Sequence, residues 1–412
     1  MNKLIQLYRN AYEGLLPSVW MLALVTFVNR SGAMVLPFLS VYLTESLHYD
    51  LKETGIIISI YGIGSMTGSF AGGWLTDKFG HYKVQTLSLL LGGSLFFVVL
   101  WLKDYYYLAI GFFILSLVNE SLRPANSYSV SYYSKPENVT RAFSLNRMAI
   151  NLGFSIGPAI GGILAAYSYQ LLFAADGITC IGAGILFYFY FKNRKGFEQK
   201  TEADSIENSP IKSPYQDSIF LLLMFANMGF MTVFFQLFTT LPLFYRDIHA
   251  LPETQIGLLL GLNGLIVFLL EMILVYLLGN RKLQYIIPTG TVLVALSFLM
   301  LNFTTDKWIL FASMLVLSVS EILVMPFLAT VTVHRSSYSS RGRYMGLYSF
   351  SYAAAFVLAP FIGTRIIANF GYTTLWHSVA ISATLFALLF LFLLLKMSKD
   401  SRQQQLVVST ET

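Results

Sequence analysis

Runs of about twenty apolar residues recur along the whole chain, separated by short polar turns. A membrane-spanning helix needs about 20 such residues. The pattern predicts twelve spans, at 16–43, 54–76, 84–102, 105–127, 142–167, 170–191, 218–245, 255–278, 284–303, 307–330, 344–367 and 372–397. Between the sixth and seventh, Lys192 to Asp217 is rich in Lys, Glu, Ser and Pro and reads as a solvated linker. The expected fold is an all-α membrane protein with a six-helix bundle over 1–191, the linker over 192–217, a second six-helix bundle over 218–397 and a tail over 398–412.

The two halves repeat at an offset near 200 residues. Glu53-Thr54-Gly55 opens the second span and Glu253-Thr254-Gln255-Ile256-Gly257 the eighth. Asn119-Glu120 in the fourth span answers Ser320-Glu321 in the tenth, each followed by a proline, Pro124 and Pro326. Gly157-Pro158-Ala159-Ile160-Gly161 answers Ala359-Pro360-Phe361-Ile362-Gly363. An internal repeat of this size in a membrane protein points to a carrier with its site between two related bundles.

Composition agrees: 56% of the 412 residues are hydrophobic and only 12% charged, about half the charged share of a soluble chain. The net charge of +6 would suit a nucleic-acid binder, but the basic residues sit in alternate loops and at both ends. Only Lys52, Lys103, Arg246 and Lys307 fall on the opposite loops, so both termini are expected to be cytoplasmic, in a bacterial plasma membrane. The single cysteine, Cys180, lies inside an apolar run, and the five histidines are scattered, so no disulfide, metal site or cofactor is expected. The first apolar run is long enough to span and shows no cleavage pattern, so no removable signal peptide is expected.

The turn between the second and third spans reads Gly72-Gly73-Trp74-Leu75-Thr76-Asp77-Lys78-Phe79-Gly80-His81-Tyr82-Lys83. Its glycines permit a sharp reversal, and its lone carboxylate can accept from a neighbouring helix end. An ordinary basic turn would look similar, but the spacing of Gly73, Asp77, Lys78, Gly80 and Lys83 resembles the loop signature of the major facilitator superfamily. Gly153, Gly157, Pro158, Gly161 and Gly162 make a smooth ridge along the fifth span. It resembles the helix-5 motif of that superfamily's antiporters, although plain helix packing would use such a ridge too. The usual basic residue early in the fourth span and the acidic residue at its end are absent. Asp77 therefore needs another partner, for which the start of the eleventh span is available. Arg30-Ser31-Gly32-Ala33-Met34 and Glu321-Ile322-Leu323-Val324-Met325-Pro326 faintly resemble the proton-coupled oligopeptide transporters, whose paired glutamates before the arginine are missing here.

Charges within spanning helices are costly and face a cavity or a partner. Glu321 has no cation within one turn and suits a group that takes up and releases a proton; Glu120 comes second, Glu271 third, and Asp176 is a further candidate. Glu120 with Arg123 (i, i+3) would equally serve as a structural ion pair. Asn29, Arg30, Arg123, Arg147, Asn151, Asn227, Gln236, Tyr348 and Tyr352 are the candidate cavity residues, the tyrosines suiting packing as well. The superfamily resemblance implies an alternating-access carrier rather than an enzyme. The expected partners are a small-molecule substrate, protons and the lipid bilayer, in a monomer that binds no nucleic acid. Proton-driven export of small amphipathic compounds is expected first. Symport of peptides or polar solutes, with Arg30 holding an anionic group, is the alternative, and a receptor that kept the fold without transport comes last.

Overall fold

The computed structural model describes residues 3–196, 213–279, 281–303 and 306–411. Residues 197–212 of the expected linker, Asn280, and the side chains of Pro158, Glu253, Thr254 and residues 400–412 lie outside the described set. Among the described residues the elements are helices: α1 Lys3–Tyr12, α2 Pro17–Ser31, α3 Val35–Val41, α4 Leu51–Phe79, α5 His81–Trp101, α6 Tyr105–Glu120, α7 Leu122–Tyr132, α8 Val139–Tyr167 and α9 Tyr169–Phe191. It continues with α10 Ser218–Phe234, α11 Gln236–Thr239, α12 Leu241–Asp247, α13 Glu253–Leu278, α14 Leu283–Leu299, α15 Trp308–Arg335 and α16 Arg341–Glu411. Polar residues set the helix starts. Asp50 and Glu53 form a reciprocal capping box at α4, and Asp104, Ser168 and Asp217 cap α6, α9 and α10.

Eleven stretches among the described residues are long and apolar enough to cross a membrane. The last, Tyr338–Lys399, has 62 residues, roughly 90 Å of helix against a core of about 30 Å. It reverses at Gly371, where φ is 79°, and so supplies the eleventh and twelfth crossings. The protein is a multi-pass integral membrane protein.

Three expected spans are broken inside the membrane. The first breaks between α2 and α3, the fourth at Ser121 between α6 and α7, and the seventh around Phe235 and Thr240. Prolines explain where. Pro37, Pro124 and Pro242 cannot donate to the carbonyls four residues earlier, at Ala33, Glu120 and Phe238. Each break falls beside that missing bond.

The chain forms two compact units. One gathers α1–α9 with the last turn of α15 and the first three turns of α16. In it α5 packs along α9, α4 along α6 and α2 along α8. The other unit holds α10–α14 and the remainder of α15 and α16. The first part of the eleventh span thus packs with the first six rather than with its sequence neighbours.

Candidate functional site

In the first unit the broken helices converge on a polar pocket. The glycine ridge of α8 makes the approach between helices possible. A Cβ on Gly153 would stand 2.6 Å from Cβ of Arg30, and one on Gly157 3.3 Å from its carbonyl oxygen. Gly161 and Gly162 face Met34 and Phe38 beyond the break. The ridge therefore seats the discontinuity of the first span. Asp176 accepts from the backbone N–H groups of Met34 and Val35, both at 3.3 Å. A carboxylate there satisfies the exposed donors at the start of α3. Its side chain is buried.

Arg30 lies half-buried with its guanidinium over the Phe154 ring, 5.6 Å from the centroid. Asn29 donates to Sγ of Cys180 at 3.4 Å. Across the pocket, Arg123 Nε stands 2.6 Å from Glu120 Oε2, and Arg123 Nη2 donates to Oε1 at 3.4 Å. The i, i+3 spacing sets both side chains on one face. Thr26, Asn29, Arg30, Gln85, Arg123, Asn126, Ser127 and Asn146 supply the polar lining of a cavity of about 60 Å³. Arg147 is half-buried on α8, and Asn151 lies one turn further along. Tyr348 and Tyr352 on α16 share a hydrogen bond of 2.7 Å.

Behind the pocket runs a chain of polar side chains. Thr26 Oγ1 donates to Asn146 Oδ1 at 2.8 Å, and Asn126 Nδ2 donates to the same oxygen at 3.4 Å. Gln85 Nε2 donates to Asn126 Oδ1 at 3.2 Å, and Ser129 Oγ donates to Gln85 Oε1 at 2.7 Å. His81 Nδ1 meets Ser129 Oγ at 2.9 Å. The expected cavity residues did not include Thr26, Gln85, Asn126, Ser127 or Asn146. Their signal was present: Gln85, Asn126 and Asn146 are amides inside apolar runs, where an unmatched polar group is expensive.

At the basic end of the same unit, Asp77 accepts from the N–H groups of Gly342 at 2.6 Å and Arg343 at 3.0 Å, and from Arg343 Nε at 2.8 Å. The start of the eleventh span is the partner the sequence left available. A Cβ on Gly73 would come within 2.7 Å of Gly346 Cα, so α4 and α16 cross backbone to backbone. Gly80 takes φ 86° at the turn. Lys78 rests on the Trp74 ring at 4.7 Å, and Lys83 is exposed.

The second unit holds the remaining candidates. Glu321 is buried in α15 and its Oε2 accepts from Asn263 Nδ2 at 3.1 Å; the same amide reaches Ser318 Oγ at 3.0 Å. Glu271 on α13 and Asn227 on α10 are fully buried. Gln236 braces a helix break, donating to Ala359 O at 3.0 Å and accepting from Thr240 Oγ1 at 2.7 Å.

Comparison with known proteins follows the geometry. The family profile described as Major Facilitator Superfamily matches residues 19–340 and 253–409. The uncharacterized MFS-type transporter YttB of Bacillus subtilis is 22% identical over 86% of this chain and 89% of its own length. The Na(+), Li(+), K(+)/H(+) antiporter of Planococcus maritimus is 24% identical over 84% of this chain and 88% of its own. The crystal structure of the human organic anion transporter MFSD10 (TETRAN) superposes with a TM-score of 0.72 at 14% identity, over 91% of this chain and all of that one.

Proposed function

The chain belongs to the Major Facilitator Superfamily, and we propose that it is a proton-coupled secondary transporter that exports small amphipathic compounds by alternating access. It would sit in a bacterial plasma membrane with both termini cytoplasmic, as the basic loops suggest.

The observation that carries the reading is the environment of Glu321. Its carboxylate takes a hydrogen bond from the neutral amide of Asn263. An amide donor serves a carboxylate and the carbonyl oxygen of a carboxylic acid alike, so a proton can come and go without dismantling that contact. Glu120 is held differently, 2.6 Å from the Arg123 guanidinium. Neutralising it would leave the half-buried Arg123 guanidinium without its counter-charge. Glu321 is therefore the proton carrier, and Glu120 serves to hold Arg123. Exchange against protons agrees with the antiporter relative.

The test uses purified protein in liposomes with an imposed proton gradient. The gradient drives substrate across in the wild type, and Glu321→Gln abolishes the response while counterflow exchange of substrate persists. Gradient-driven transport at the full rate in Glu321→Gln would remove Glu321 from the coupling role.

A further inference from the structure

Resting on the transport reading above, we propose that the pocket of the first unit holds the acidic head of the cargo, a carboxylate or sulfonate, with Arg30 as its principal partner and Arg123 as its second. Two independent features lead there.

The first is a charge imbalance. The spans of this unit carry the half-buried Arg30, Arg123 and Arg147 against two interior carboxylates, Glu120 and Asp176. Glu120 is taken by Arg123, and Asp176 by the backbone at the start of α3. The charged neighbours of Arg30 are Arg123, a like charge, Glu120, already engaged, and Asp176, which accepts from the backbone of α3. Its guanidinium is left with an aromatic face, a weaker partner than a carboxylate. An anion arriving between the two guanidiniums would relieve their repulsion and form the charge-assisted bonds that Arg30 lacks.

The second feature is the direction of the hydrogen bonds. Oδ1 of Asn146 accepts twice, and Oδ1 of Asn126 and Oε1 of Gln85 once each, from donors within the polar chain. Each amide is thereby fixed in orientation and keeps N–H to offer a ligand. A pocket walled by two guanidiniums and by amide N–H groups favours a ligand that brings acceptors. The cavity, about 60 Å³, has room for a small head group with a few waters but not for a whole amphipathic molecule. The apolar part of the cargo would remain outside it.

The experiment measures binding to the purified full-length protein of four compounds sharing one ring system. Two are anions, 2-naphthoate and naphthalene-2-sulfonate; the others are 2-naphthylmethanol and 2-naphthylmethylamine. The anions are expected to bind at least about tenfold tighter than the alcohol and the amine, as two charge-assisted contacts imply. Arg30→Gln is expected to bring them to the level of the alcohol while shifting the alcohol less than about threefold, and Arg30→Lys to fall between. Equal binding of anions and alcohol by the wild type, a preference for the amine, or anion affinity unchanged in Arg30→Gln would each overturn the proposal. The wild-type comparison does not depend on a variant folding. If a proton gradient in liposomes drives the amine regardless of Arg30→Gln, the acid-head assignment fails and the transport reading stands. If the anions bind as expected but no gradient moves any of the four, the transport reading fails and the site remains.

Discussion

Replacing Asp77 with Asn should loosen the basic end of the first unit by an amount the geometry allows one to work out. Asp77 makes three contacts with the start of α16, two to backbone N–H groups and one to the Arg343 side chain. Its side chain is only 9% exposed, so solvent screens these contacts little. Each is charge-assisted, worth about 1.5–3 kcal/mol, and the carboxylate also meets the positive end of the helix dipole. Asn keeps one oxygen to accept a backbone N–H, but loses the charge, the pair with Arg343 and one acceptor. The net loss is about 3 kcal/mol, which raises the separated form of this contact about a hundredfold. The assay is the alkylation rate of a cysteine placed at Ser340, which is fully buried; the native Cys180 is buried too. Alkylation should accelerate by one to two orders of magnitude in Asp77→Asn and by less in Arg343→Gln, which removes one contact of the three. An unchanged rate in Asp77→Asn would show that these bonds do not hold α4 and α16 together.

Arg123→Gln should lower thermal stability by the equivalent of about 1–2 kcal/mol, because it removes the counter-charge of the buried Glu120 while solvent at the 37% exposed Arg123 side chain screens part of the pair; a melting curve of the Glu120→Gln, Arg123→Gln double variant should recover most of that loss. Asp176→Asn should cost about 1–2 kcal/mol by weakening the cap on α3, seen as faster amide exchange at Met34 and Val35. Gly153→Ala should impair transport more than Gly157→Ala, since its added methyl would lie 2.6 Å from Arg30 Cβ against 3.3 Å from the nearest atom at Gly157; equal transport rates would argue against the ridge seating Arg30.

Fold class and span positions were legible in the residue pattern for a simple physical reason. Lipid offers no hydrogen bonds, so a crossing segment must be both apolar and helical. The loop glycines and Asp77 were legible because a tight turn and a lone carboxylate stand out against apolar runs. The role of Asp176 was not, since nothing near it in sequence reveals the broken helix end it caps, some 140 residues earlier. The hydrogen bonds by which Gln236, an expected cavity residue, braces a helix break were not legible either, because Ala359 lies far along the chain. Asn126 and Asn146 drew no notice, because a neutral amide is a weak signal until its partners are known.

By itself the chain's order of residues determined that this is a multi-pass helical protein with a repeated half and a handful of charges inside the membrane. Each of those properties follows from local transfer costs that every residue carries with it. Only the tertiary structure decided which charge meets which partner: Glu120 with Arg123, Asp77 with the start of α16, Arg30 with the face of Phe154. Those pairings depend on helices brought together from distant parts of the chain, and hydropathy has no term for which side of a helix faces which neighbour.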